Sequence, residues 1–285
     1  MPVHERGYTH WQPSGLRAAP PWWVIARRGL AVPLRKRSNL AVLVVAWIPA
    51  LVMGVQVYTK AKAGQLAELA AGVGWGDISP AGFLTFVERQ DFFVFLVVAM
   101  LGAGLIARDR EENGLSLYFS RPLSLTDYLA GKALVILGGY LAITLVPALL
   151  LCLFAYLIEP TAAGLELLLL TPLRLTLLTL LTGTALSLIM LAFSSLGTRT
   201  VLVIVWWAVL CLGGDAVAGM GQGLGVDLLQ YGDFLAHWSN AGVLALGGEP
   251  RLPFSPWVSL VICALMTAGA VGVLRARVRP VEVVA

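Results

Sequence analysis

Charge is scarce in this sequence, and that scarcity decides its class. Asp, Glu, Lys and Arg make up only 13% of the 285 residues, whereas 58% are hydrophobic and the mean hydropathy is +0.82. Soluble domains usually devote about a quarter of their residues to charge. A soluble domain is therefore excluded. We expect an all-α integral membrane protein, because a backbone in lipid must satisfy its own hydrogen bonds.

Residues that commonly carry catalysis or bind metals are also few. A membrane protease needs a catalytic serine or an HExxH pair, and none of the three histidines has such a partner. The three cysteines stand singly inside apolar runs and lack metal-ligand spacing, so we expect neither a disulfide nor a metal site. These residues are His4, His10, His237, Cys152, Cys211 and Cys263.

A phosphate-binding glycine loop is missing too. Gly131-Lys132 is followed by Ala133 and lacks the earlier glycine and the Ser or Thr that such a loop needs. The neighbouring carboxylates Glu111 and Glu112 do not face each other on a helix. We therefore predict a non-catalytic chain without a cofactor of its own. The net charge of +4 indicates no nucleic-acid partner, because the basic residues stand beside apolar runs.

What the sequence does have is apolar runs of membrane-crossing length. A hydrocarbon core of ~30 Å needs about 20 helical residues, and six runs meet that need. The predicted spans are 40–58, 83–107, 133–158, 171–196, 201–220 and 258–274. Together they make a six-helix membrane domain over 40–275, between a disordered N-terminal tail at 1–21 and a short C-terminal tail at 276–285.

The segment 22–39 joins the first tail to the first span. It mixes apolar residues with tryptophans and basic residues, which is typical of an amphipathic helix lying among lipid headgroups. The alternative is a basic linker that only orients the first span. The residues expected at the membrane interface are Trp22, Trp23, Arg27, Arg28, Arg35, Lys36 and Arg37.

Orientation follows from the distribution of basic residues. If both termini share one side, 15 of the 20 Lys and Arg residues lie there, and the other side holds Lys60, Lys62, Arg89, Arg174 and Arg251. The positive-inside rule then places both termini in the cytoplasm.

Few polar residues interrupt the spans. Asp215 lies about fourteen residues into the fifth span, ~21 Å along a helix, and intramembrane acids are functional candidates. Asp215 is therefore a candidate pathway residue, with Arg174 as its candidate partner. The alternative is a solvated acid at the outer mouth, if Gly213-Gly214 breaks the helix. The segment 213–256 contains either short re-entrant helices or a plain outer loop.

Proline and capping residues predict local breaks. Pro49 and Pro147 should interrupt the first and third spans, because proline offers no backbone N–H. Ser79, followed by Pro80, predicts a helix start ahead of the second span. Ser124, with Asp127 three residues later, predicts the start of the helix that becomes the third span.

The polar connection between the second and third spans is long for a simple tether. Leu115, Tyr118 and Phe119 form a short apolar stripe at helical spacing, and Pro122 should end that helix by restricting Arg121. The sequence predicts a short helix lying on the membrane surface, where another protein can contact it.

This connection resembles the loop between the second and third spans of ABC-2 type transporter permeases. The resemblance rests on Asp-Arg-Glu-Glu-Asn-Gly at 109–114, Arg-Pro-Leu-Ser at 121–124 and Tyr-Leu-Ala-Gly-Lys at 128–132. The six-span layout agrees with it, although only this loop is specific. The Pro- and His-containing tail before Trp22 is not part of the family pattern.

The resemblance implies a coupling helix that seats in a groove of a separate ATPase subunit. Its leading residues would be Glu111, Glu112 and Gly114, its body Leu115 to Phe119 with Tyr118, and its end Arg121-Pro122. The segment 22–39 would be the family's connecting helix. The expected assembly has two permease chains, identical or different, and two ATPase subunits that carry ATP and Mg²⁺, in a bacterial plasma membrane. Export is the implied direction.

Two other functions remain open from the residues alone. One is a stand-alone ion-coupled transporter, which needs charges buried near the membrane midplane. The other is a membrane-embedded lipid-processing enzyme, with Asp215, Asp227 and Asp233 as its site. Their spacing is loose for a metal set.

Overall fold

The computed structural model describes residues 19–62, 79–112, 114, 123–158 and 166–278. Within those ranges, all of the regular structure is helical. In these ranges, six helices are long and apolar enough to cross a membrane, which agrees with the six predicted spans. We number them span 1 to span 6: Arg37–Thr59, Asp91–Glu111, Leu125–Ile158, Leu167–Leu196, Thr200–Leu224 and Pro256–Arg277.

Several spans consist of consecutive helical pieces. Span 1 has the pieces Arg37–Val45 and Ile48–Lys62, span 2 has Asp91–Gly102 and Ala107–Glu111, and span 3 has Leu125–Ile143 and Leu145–Ile158. Span 4 has the π-helical turn Glu166–Leu170 followed by Thr171–Leu196. Span 5 has Thr200–Ala208, the π-helical turn Val209–Gly213 and Gly214–Leu224. Outside the spans, helices cover Pro21–Leu34, Pro80–Arg89, Asp227–Gly232 (a 3-10 helix) and Phe234–Leu246.

Local sequence signals set several of these boundaries. Ser79 accepts a hydrogen bond from the Gly82 N–H at 3.2 Å and caps the helix that begins at Pro80, as predicted. That helix ends at Arg89, and Gln90 separates it from span 2. The structure therefore divides the predicted segment 83–107 into two helices and carries the second one on to Glu111.

The two prolines act as expected. Pro49 has no N–H to bond to the carbonyl of Val45, and the first helical piece of span 1 ends at Val45. Pro147 stands in the same relation to Ile143, where the first piece of span 3 ends. Each interruption thus follows from the backbone N–H that the proline lacks.

Spans 2 and 4 have the largest buried shares, whereas most residues of spans 1, 5 and 6 are not buried. Span 3 packs against both interior spans. Glycines allow the closest approaches: a Cβ on Gly139 would collide with Leu101, and one on Gly183 would lie 2.5 Å from the ring of Tyr140. The exposed apolar faces of the outer spans are suited to lipid or to a second membrane chain.

After span 5 the chain forms a hairpin. It turns at Gly225, which has a φ of 68°, and the 3-10 helix returns alongside the end of span 5. A Cβ on Gly221 would lie 2.7 Å from Leu229, and Gly214 faces the carbonyl of Gly232. The two helical arms of the hairpin therefore run antiparallel, along about ten residues or ~15 Å of the first arm. The segment 213–256 thus contains short helices, and their re-entry into the membrane stays a prediction.

The helix Pro21–Leu34 packs along the first half of span 3. A Cβ on Gly131 would lie 2.7 Å from Ile25 Cβ, and one on Gly29 would lie 2.5 Å from Val135 Cγ2. Later residues of the first helix contact later residues of span 3, so the two helices are parallel. The predicted segment 22–39 thus comprises this helix and the first residues of span 1, and its main neighbour is span 3.

Candidate functional site

The candidate site is the base of the loop that joins spans 2 and 3. Glu111 ends the last helical piece of span 2, Glu112 follows it, and Gly114 lies close to the backbone of Asp109. The remaining predicted coupling residues, Leu115, Tyr118, Phe119, Arg121 and Pro122, lie outside the described residues. What the structure defines is the pair of stems that hold the loop.

An ion pair joins the two stems. Lys132 Nζ lies 2.8 Å from Asp109 Oδ2, and the two side chains are only 9% and 18% exposed. The Tyr128 hydroxyl donates to the same carboxylate at 2.7 Å, and Lys132 also donates to the carbonyl of Leu105 at 2.9 Å. Two donors thus converge on one carboxylate oxygen of Asp109, and added hydrogen bonds of this kind lower the penalty for burying an ion pair.

The second stem begins with a cap. Ser124 Oγ accepts from the Asp127 N–H at 3.0 Å, and span 3 starts at Leu125. This confirms the predicted helix start. It also places the beginning of span 3 eight residues before the predicted 133, so that Tyr128 and Lys132 belong to the helix.

A serine of span 4 interrupts the first stem. Ser194 Oγ accepts from the N–H groups of Ile106 and Ala107 at 2.9 and 3.0 Å, and it donates to the carbonyl of Ala103 at 2.9 Å. The hydroxyl thus stands between a carbonyl and an N–H that would otherwise bond directly in an α-helix. Arg110 adds a bond to the carbonyl of Ser195.

The Pro21–Leu34 helix completes this end of the bundle. Gly131 brings it against Ile25 and the backbone of Trp22, next to the buried Tyr128. The predicted interface residues on and after this helix are exposed, with Trp22 at 36% and Trp23 at 50%. The exposed basic residues are Arg27, Arg28, Arg35, Lys36 and Arg37. The helix, spans 2 and 3, and the end of span 4 therefore meet around one loop base.

A second polar cluster lies at the other end of the spans. Arg251, just before span 6, lies 3.1 Å from Asp91, 3.3 Å from Asp233 and 3.5 Å from Asp215. Asp233 also caps the Phe234–Leu246 helix by accepting from the Ala236 N–H at 3.0 Å. One guanidinium thus ties the starts of spans 2 and 6 to the hairpin after span 5. A cavity of about 240 Å³ adjoins these side chains.

This cluster answers part of the prediction for Asp215. The helix passes Gly213-Gly214 as a π-helical turn instead of breaking there. The carboxylate of Asp215 is 64% exposed, and the ion pair seen for it is with Arg251. Arg174 is half-buried in the first turn after the π-helical start of span 4.

Two charged groups of the cluster lie outside the spans and have shifted pKa values. Burial raises the pKa of Glu88 above its ordinary 4.5, and the nearby Arg251 opposes this only in part. Burial by itself lowers the pKa of Arg251, but the carboxylates of Asp233, Asp91 and Glu88 outweigh it, so that the pKa is raised. Arg251 therefore stays charged.

The sequence did not indicate a partner for His237, and the structure supplies one. His237 Nδ1 lies 3.1 Å from Ser259 Oγ, and Nε2 lies 3.1 Å from the carbonyl of Tyr231. Asn240 also donates to Ser259 Oγ at 2.8 Å. Ser259 has no exposed surface, so this arrangement fixes the Phe234–Leu246 helix on span 6 and offers a substrate no access.

In the part of the chain that the structure describes, no three His, Cys, Asp or Glu side chains are placed to hold a metal ion. The sequence singled out Lys132 and Asp109 as motif members, but it did not show that they pair. The chain matches no known family model and no curated protein.

Proposed function

We propose that this chain is the permease subunit of an ATP-driven transporter of the ABC-2 type. The observation that carries the proposal is the loop between spans 2 and 3, whose flanking motif residues Asp109, Tyr128 and Lys132 bind one another. A loop that is to transmit force needs a stiff base, and a largely buried ion pair with hydrogen bonds to Tyr128 and the Leu105 carbonyl supports one. Six membrane-crossing helices agree with the proposal.

The mechanism assigns the energy to a partner. Two separate ATPase subunits bind ATP and Mg²⁺ and close on each other. Their closure moves the 113–122 loop, in which Leu115 and Phe119 are the apolar side chains that contact the ATPase. The loop base passes that movement to spans 2, 3 and 4, and the spans rearrange to open a path. This chain binds lipid and a second permease chain. Export is the proposed direction, with both termini and the loop in the cytoplasm of a bacterium.

The test is co-purification with ATPase subunits from the same genome. One candidate should copurify with the chain and hydrolyse ATP in the complex. Changing Leu115 and Phe119 to Ser should abolish this association, because the anchors lose their apolar contact. The matched control changes the exposed Leu244, far from the loop, to Ser and should retain it. Association that survives loss of both anchors contradicts the proposal.

A stand-alone ion-coupled transporter is the second candidate. The observation in its favour is the buried Asp233 carboxylate, 6% exposed, beside the cavity next to Arg251. This candidate predicts transport that continues after ATP depletion and is lost in Asp233→Asn. The ATP-driven permease predicts the opposite response to depletion.

A further inference from the structure

Span 2 contains a break with an unusual cause. The helix stops at Gly102 and resumes at Ala107, and no proline lies within the break. Ile106 and Ala107 are completely buried, so their N–H groups have no access to water and need partners inside the protein. The hydroxyl of Ser194 supplies the partner for both.

The same hydroxyl also occupies the carbonyl of Ala103. In an uninterrupted helix, that carbonyl would accept from the Ala107 N–H four residues later. Ser194 has replaced this single bond by two bonds of its own. A side chain of span 4 therefore holds the backbone of the break just before the helix Ala107–Glu111.

We propose that Ser194 is a positioning residue that links the loop base to span 4, so that the two move together. The inference rests on the proposed function for what drives the movement, although the link itself is a property of this chain alone. Arg110 supports it by binding the backbone of Ser195 one residue further along span 4.

Removing the hydroxyl has a definite structural outcome. In Ser194→Ala, the Ala107 N–H and the Ala103 carbonyl are left to bond to each other, which straightens span 2 and redirects the helix Ala107–Glu111. Ser194→Thr keeps the hydroxyl and should restore the wild-type direction. Ser187→Ala is the matched control, because Ser187 is equally buried in span 4 but donates only within its own helix, to Gly183 at 2.6 Å.

The measurement is a distance between spin labels on the full-length chain in lipid nanodiscs. One label replaces Arg108 on the short helix, and the other replaces Leu181, which is 71% exposed on span 4 and ~20 Å along the helix from Ser194. We expect one narrow distance distribution in the wild type and in Ser187→Ala. In Ser194→Ala we expect a distribution shifted or broadened beyond that width, and in Ser194→Thr a return toward it.

The same labels test transmission in the complex with the ATPase, trapped with ATP and vanadate. The wild-type distance should stay the same on trapping, because both labels move as one body, whereas the distance in Ser194→Ala should change. Identical distributions for Ser194→Ala and Ser187→Ala would overturn the inference and leave the proposed function intact. If no ATPase binds, the proposed function fails, and the comparison in the isolated chain still decides the role of Ser194.

Discussion

Replacing Lys132 by Met removes the cation at the loop base but keeps a side chain with an apolar stem. The change deletes the 2.8 Å ion pair with Asp109 and the 2.9 Å bond to the Leu105 carbonyl. Asp109 retains the Tyr128 hydroxyl at 2.7 Å. The carboxylate is then a nearly buried charge with one partner.

The size of the effect follows from that arrangement. Removing one partner of a buried ion pair costs about 3–5 kcal/mol, because the other charge remains desolvated. Asp109 is 18% exposed and keeps one hydrogen bond, so we expect a loss near the lower limit, about 3 kcal/mol in the free energy of unfolding. The double change Asp109→Leu with Lys132→Met leaves no uncompensated charge but also removes the bonds of Asp109 to the Tyr128 hydroxyl and of Lys132 to the Leu105 carbonyl. We therefore expect a loss of about 2 kcal/mol, smaller than that of Lys132→Met alone.

The assay is unfolding of the purified chain in mixed micelles by titration with SDS, followed by tryptophan fluorescence. Lys36→Met serves as the control, since Lys36 is exposed, and its effect should stay within about 0.5 kcal/mol. The reasoning is refuted if Lys132→Met is no more destabilising than Lys36→Met, or if the double change is less stable than Lys132→Met alone.

Three further predictions concern other contacts. Arg251→Met should lower the free energy of unfolding by about 1–2 kcal/mol, a modest loss because the guanidinium is 37% exposed. Backbone hydrogen exchange at 247–255 should also accelerate. Unchanged exchange would contradict the proposed role of Arg251 in holding this segment against the hairpin. Burial raises the pKa of Glu88, so the folded chain binds a proton on this carboxyl group more tightly than the unfolded chain does. The contribution of Glu88 to stability therefore falls as pH rises above about 4.5. In SDS titrations across pH, Glu88→Gln should make this fall less steep, and an unchanged slope would refute the prediction. Gly131→Ala should destabilise the protein by about 1–3 kcal/mol, because the added Cβ collides with Ile25. Gly138→Ala should be milder in the same assay, because its added Cβ would lie 3.3 Å from the flexible end of Leu30. Equal effects of the two changes would contradict the packing described.

The features that could be predicted from sequence depend on residues close together in the chain. The span count follows from apolar length, the helix starts from Ser79 and Ser124, and the interruptions from Pro49 and Pro147. The cap and proline signals act within about four residues, and each span depends on one apolar run of about 20 residues. None of these signals requires knowledge of contacts between distant parts of the chain.

The features that could not be predicted join distant residues. Ser194 bonds to an N–H group 88 positions away, and Arg251 pairs with Asp91 across 160 positions. Nothing in the local sequence marks Ser194 as a residue whose hydroxyl contacts another helix. The coupling residues from Leu115 to Pro122 remain predictions, as does the orientation of the spans.

The side of the membrane that the loop faces tests the central claim most directly. A cysteine replacing Ser116 marks the loop, and one replacing Leu228, which is 74% exposed in the hairpin, marks the other end of the spans. We predict that an impermeant maleimide added to intact cells labels the Leu228 position and reaches the Ser116 position only after the membrane is opened. Labelling of the Ser116 position in intact cells, with protection of the Leu228 position, would place the loop away from ATP and contradict the account.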